Sequence, residues 1–197
     1  MSRPRPDASR NPGMVLSLAV PRNFAANLLA AIAVALWAAL STRGWAALLS
    51  CFFGWCLLAL AVSDIRHFRL PDYLTLPLVP VGLIASLFLD RADFQGHLLG
   101  CVGGFIAFLA IAEGYRWLRR RDGLGFGDIK LMAALGAWLG WQGLPSAVLV
   151  AALSGLLVVI VQAAAGRGAS FDRPLPFGAF LSLGAWLVWL YGPLALG

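Results

Sequence analysis

Only nine of the 197 residues are acidic, and two of them stand where a carboxylate needs a reason. Asp64 closes the apolar run Trp45–Ser63, and Asp128 opens a run that ends at Trp141. If these runs cross a membrane in opposite directions, both carboxylates reach the same face. Ionisable groups at span ends that face a bundle interior are functional candidates by default; the plain alternative is a helix end in contact with water. Two carboxylates held together cannot both ionise cheaply, so they share one proton and their affinities for it split. Such a pair could divide acid and base work on a water molecule.

The local sequence sharpens this reading. Asp128 follows Gly125-Phe126-Gly127. Glycine permits unusual dihedrals and leaves room for another backbone, so Gly-x-Gly-Asp at a helix start could bring a carboxylate against an extended peptide. Asp64 is followed by Ile65-Arg66-His67-Phe68-Arg69-Leu70-Pro71-Asp72. Pro71 ends that loop, and Asp72 is expected to cap the next helix. Asp7, Asp90, Asp93 and Asp172 fall in the tail or in loops, and Glu113 is expected to pair with Arg116 on one helix face. Lys130, two residues after Asp128, has two readings: it favours the Asp128 anion, or it anchors at the lipid interface. Pro176-Phe177-Gly178 either opens an ordinary helix or offers exposed backbone to an extended substrate. His67 and His97 fall on opposite faces, and no metal constellation or cofactor site is expected.

The elements that must position these residues are membrane spans. The chain is 60% hydrophobic and 12% charged, with a mean hydropathy of +0.82. A soluble domain is nearer half apolar and a quarter charged, so many apolar side chains must face lipid. The reading is an all-α bundle of about seven transmembrane helices, or six if the first lies on the surface. The segments are Phe24–Leu40, Trp45–Ser63, Tyr73–Leu89, His97–Leu118, Asp128–Trp141, Leu144–Ala165 and Phe177–Tyr191. Trp138 and Trp141, at the end of the short fifth segment, suit an interface. Residues 1–23, polar and rich in Arg and Pro, read as a flexible cytoplasmic tail, with Met14 an alternative start; residues 24–197 read as one membrane domain.

Lys and Arg set the orientation. With the N-terminus in the cytoplasm, 13 of the 15 basic residues lie inside and only Arg43 and Arg91 lie outside. That asymmetry puts Asp64 and Asp128 at the cytoplasmic face. The net charge of +6 is then a topology signal beside anionic lipid, since no extended soluble basic surface exists for nucleic acid. Arg119, Arg120 and Arg121 are expected to face headgroups. Gly100 with Gly104, and Gly136 with Gly140, let helices approach closely. Cys51, Cys56 and Cys101 read as small packing residues.

Three motifs in order carry a family resemblance: Asp64 with Leu70-Pro71-Asp72, then Gly125-Phe126-Gly127-Asp128-Ile129-Lys130-Leu131, then Pro176-Phe177-Gly178-Ala179-Phe180. Together they resemble the type IV prepilin peptidases, of the GxGD class of membrane aspartic proteases, over roughly Ala59 to the C-terminus. The resemblance implies that Asp64 and Asp128 are the catalytic pair. It implies substrate contacts at Gly125, Gly127, Lys130, Pro71, Asp72, Pro176, Phe177 and Gly178. It also implies a prepilin or pseudopilin substrate, cut after a glycine that ends a short basic cytoplasmic leader, in a bacterial inner membrane serving a type IV pilus or type II secretion. Long members carry a cysteine-rich cytoplasmic segment and methylate the new N-terminus. This chain has no such segment and resembles a short form, so methyl transfer is not expected.

Helix direction assigns the resting roles. Asp128 sits at a helix N-terminus, whose positive end favours an anion; Asp64 sits at a helix C-terminus, which disfavours one. Asp128 is thus expected to be the base and Asp64 the acid. Presenilin-type GxGD proteases have Tyr-Asp and Pro-Ala-Leu where this chain has Ser63-Asp64 and Pro-Phe-Gly. A noncatalytic pilus or secretion component, or a small transporter, is the alternative from another class.

Overall fold

The computed structural model describes residues 24–42, 44–89, 93–120, 124–165 and 175–194. Within them the chain forms six helices and no strand: α1 (Phe24–Ser41), α2 (Trp45–His67), α3 (Asp72–Leu89), α4 (Phe94–Arg119), α5 (Phe126–Ala164) and α6 (Phe177–Tyr191). Four of them, α2 to α5, are long and apolar enough to cross a membrane. Large apolar side chains such as Leu40 and Trp117 lie on the outer surface. Lipid accepts such a surface and a helix satisfies its own backbone, so the all-α membrane bundle expected from composition is the fold observed. The N-terminal tail, Arg43, Asp90, Arg91, Arg121, Asp122, Arg167, Asp172 and Arg173 lie outside the described residues.

The fifth and sixth apolar segments meet within α5. Gly140 has φ 69° and ψ 173°, a region essentially restricted to glycine, and there the chain folds back. Gly104 of α4 shows this: a β-carbon on it would lie 3.1 Å from the Met132 carbonyl oxygen and 3.0 Å from Leu144 Cδ1, one on each half of α5. The two halves are therefore antiparallel. Gly100 and Gly136 also meet backbone to backbone, so the glycine spacing does serve close helix approach.

The first half of α5 is the axis of the bundle. Residues 131–138 are buried without interruption, because α3, α4 and α6 all pack on α5. Trp138 is 2% exposed; it stacks on Phe53 at 4.3 Å and donates its Nε1–H to the Leu78 carbonyl at 2.9 Å. The expectation of an interfacial Trp138 is thus corrected: its indole finds a partner inside, which a buried Trp requires. Of Trp138 and Trp141, only Trp141 is exposed. The three cysteines are free and half-buried.

Candidate active site

Asp64 lies on the buried stripe of α2. Phe53, Leu57, Leu60 and Asp64 recur at helical spacing and are all buried, so a carboxylate occupies the position that the pattern gives to a core residue. Asp64 is 6% exposed. α2 ends one turn later, where Phe68 takes a left-handed conformation and its N–H donates to the Asp64 carbonyl. Ser63 Oγ donates to the Arg69 carbonyl at 2.8 Å and fixes the start of the following loop.

Asp128 lies in the first turn of α5. Gly125 caps that helix through its carbonyl, which accepts the Asp128 N–H at 3.0 Å. Asp128 is half-buried. The third contributor is the N-terminus of α6. The Ala179 N–H donates to Asp64 Oδ2 at 3.0 Å and shares its hydrogen with the Pro176 carbonyl at 3.2 Å.

Gly178, buried in the first turn of α6, measures how closely the pair approaches. A β-carbon on it would lie 3.1 Å from Asp128 Oδ1 and 3.1 Å from Asp64 Oδ2. The two oxygens are therefore within twice 3.1 Å of one another. That span can hold one water between them, in hydrogen-bond reach of both.

The remaining motif residues assemble around the pair, several in roles other than those expected. Gly127 was to admit an approaching peptide. Its φ is not in the left-handed region, and its free face is filled by Leu70, whose Cβ and Cδ1 would lie 3.0 and 3.3 Å from a β-carbon there. Leu70 Cδ1 also lies 2.9 Å from the β-carbon position of Gly178. One side chain of the α2–α3 loop thus packs against both glycine motifs. Pro71 accepts the Leu74 and Thr75 N–H groups at the start of α3, so Asp72 is the first helical residue. Its carboxylate accepts two contacts from Lys130 Nζ, at 2.7 and 2.8 Å. The capping role expected of Asp72 is corrected accordingly; Lys130 ties α5 to α3 through this pair and lies 4.8 Å over the Phe126 ring. Phe177 packs near Phe108. Glu113 pairs with Arg116 as expected.

Sequence reasoning did not single out Leu70 or Ala179 as site residues. Leu70 carried a weak signal, as an apolar residue, buried here, between Arg69 and Pro71 in a short loop. Ala179 carried none, because its contact is made by a backbone N–H that every residue but proline has.

The model of the type IV leader peptidase family matches residues 51–160. Similar proteins include the prepilin leader peptidase/N-methyltransferase of Burkholderia pseudomallei, 42% identical over 142 residues, which are 71% of this chain and 46% of that protein. Those of Aeromonas salmonicida and Pseudomonas aeruginosa are 36% and 38% identical, over 77% and 70% of this chain and 52% and 47% of their own length. The chain spans about half the length of these curated relatives. No solved structure matches it.

Proposed function

The chain belongs to the type IV leader peptidase family, and we propose that it is a membrane aspartic endopeptidase that removes the basic leaders of type IV prepilins or pseudopilins. One observation carries the reading: Asp64 Oδ2 and Asp128 Oδ1 each lie 3.1 Å from the position a β-carbon on Gly178 would take. The alternative of a noncatalytic assembly component or transporter gives no reason to bury a carboxylate on a core stripe beside a second one.

In the proposed reaction a water lies between the two carboxylates. One accepts its proton as the oxygen attacks the scissile carbonyl. The other donates to the carbonyl oxygen and then to the leaving amine. The roles follow from two competing magnitudes. The ends of α2 and α5 each favour the Asp128 anion over the Asp64 anion by about 0.3–1 kcal/mol. A hydrogen bond to a charged group contributes about 1.5–3 kcal/mol, and Asp64 accepts one from Ala179. Even shared with Pro176, that bond exceeds either dipole effect taken singly, and it is directed at the carboxylate oxygen itself. We therefore assign Asp64 as base and Asp128 as acid, the reverse of what helix direction alone suggests.

The site is proposed to face the cytoplasm of a bacterial inner membrane, where a prepilin leader lies. The positive-inside asymmetry supports this: Arg66 and Arg69 lie at the end of α2 with Asp64, Lys130 at the start of α5 with Asp128, and Arg116, Arg119 and Arg120 at the end of α4 that leads into α5. Co-expression with a prepilin tests the function by loss of the leader. The wild type is expected to process it, while Asp64→Asn and Asp128→Asn each lower the rate roughly 10²–10⁴-fold with the protein still inserted. Equal processing by all three chains would remove the aspartic mechanism.

A further inference from the structure

We propose that the groove between α1, α2 and α3 binds an anionic glycerophospholipid, with Arg66 and His67 at its phosphate. The groove has a volume of about 460 Å³ and is graded in polarity. Antiparallel packing sets its register: Trp55 Nε1 donates to the Ala31 carbonyl at 3.0 Å, and Arg66 Nη2 donates to Asn27 Oδ1 at 3.4 Å nearer the Asp64 end. The polar groups, Asn27, Arg66, His67 and Tyr73, therefore lie at that end. The apolar wall, with Ala31, Ala59 and Trp55, runs toward the middle of the bundle.

Charge identifies the occupant. Arg116 and Lys130, also at the Asp64 end, are each paired with a carboxylate. Among the described residues Arg66 has no carboxylate in ion-pair range, and its one side-chain partner is a neutral amide. No acidic residue lines the groove. A guanidinium in that state suits a phosphate, which it can meet with two parallel N–H groups. From Arg66 to Trp55 the helix rises about 16 Å, close to one leaflet's half of a hydrocarbon core about 30 Å thick, so an acyl chain can follow the apolar wall. A basic peptide is repelled at this mouth, and a free phosphate has no use for the wall. Ser63 also lines the groove, so a bound lipid braces the last turns of the helix that carries Asp64.

Native mass spectrometry of the full chain tests this without reference to proteolysis. After release from micelles containing phosphatidylglycerol and phosphatidylcholine with identical chains, the wild type is expected to retain phosphatidylglycerol. Arg66→Gln lowers retention about tenfold, the loss of one charged hydrogen bond. Ala59→Trp, which fills the apolar wall and leaves the charges in place, lowers it similarly. Arg119→Gln, an exposed cation elsewhere at the same end, leaves retention unchanged. Equal retention of phosphatidylcholine, an equal loss in Arg119→Gln, or no effect of Ala59→Trp overturns the proposal. Displacement of the lipid by a prepilin's apolar segment overturns it as well and reassigns the groove to substrate.

Discussion

The Ala179 N–H reaches the Asp64 carboxylate at 3.0 Å across 115 residues of sequence. The contact points the N-terminal end of α6 at the carboxylate that closes α2. In the proposed mechanism it makes a motif readable as a helix start part of the acid–base pair, and that has a kinetic consequence. If the pair shares one proton, kcat is bell-shaped in pH, with limbs that belong to the pair. Below the acid limb both groups are protonated and no base remains; above the alkaline limb both are ionised and no acid remains.

Ala179→Pro removes the N–H while keeping a residue tolerated in the first turn of a helix. The Asp64 anion loses a donor, so it takes up its proton at higher pH. The acid limb is expected to move up by about one unit, the equivalent of about 1.4 kcal/mol. A pH–rate profile of leader cleavage reads this directly, and an unmoved acid limb would return the base role to Asp128.

Gly178→Ala places a methyl against both carboxylates and Leu70. The pair must separate, and a displacement of about 1 Å costs on the order of 10²-fold in rate. Gly103→Ala, where nothing lies within 4 Å, is the control. It keeps activity and gains roughly 0.5–1 kcal/mol of helix stability. Cleavage rate and thermal unfolding in detergent separate the two outcomes.

Gly140→Ala meets no atom nearer than 3.9 Å, so its effect is conformational alone. Holding alanine at φ 69° and ψ 173° costs about 1–3 kcal/mol. A lowered unfolding midpoint is expected, and an unchanged one would mean that the two halves of α5 can join in some other way.

The Lys130–Asp72 pair joins the helix that carries Asp128 to α3, the helix that follows the one carrying Asp64. Lys130 is 19% and Asp72 58% exposed, so solvent screening limits the pair to about 1 kcal/mol or less. Asp72→Asn and Lys130→Met are each expected to destabilise by that order. The exchange Asp72→Lys with Lys130→Asp is expected to recover part of it in a double-mutant cycle. Additive effects would mean that the contact does not couple the two elements.

Spans, small-residue contacts and the two carboxylates were legible in the sequence because hydropathy, glycine spacing and rare charge are local properties. Asp64 could even have been placed on the core stripe from Phe53, Leu57 and Leu60. Other features were illegible for stated reasons. Lys130 and Asp72 lie 58 residues apart, and nothing local says which carboxylate a lysine chooses. Trp138 looked interfacial because an indole suits both a headgroup and a buried carbonyl.

The sequence by itself determined that this chain is an apolar helical bundle with two carboxylates at the ends of apolar runs, one of them behind Gly125-Phe126-Gly127, since composition and periodicity fix which segments enter lipid and which residues end them. Tertiary structure alone decided how the carboxylates are served: Leu70 packed on Gly127 and Gly178, and a backbone N–H of α6 directed at Asp64. Those contacts depend on helices from distant parts of the chain meeting at one depth, and a backbone donor leaves no mark on the identity of the residue that carries it.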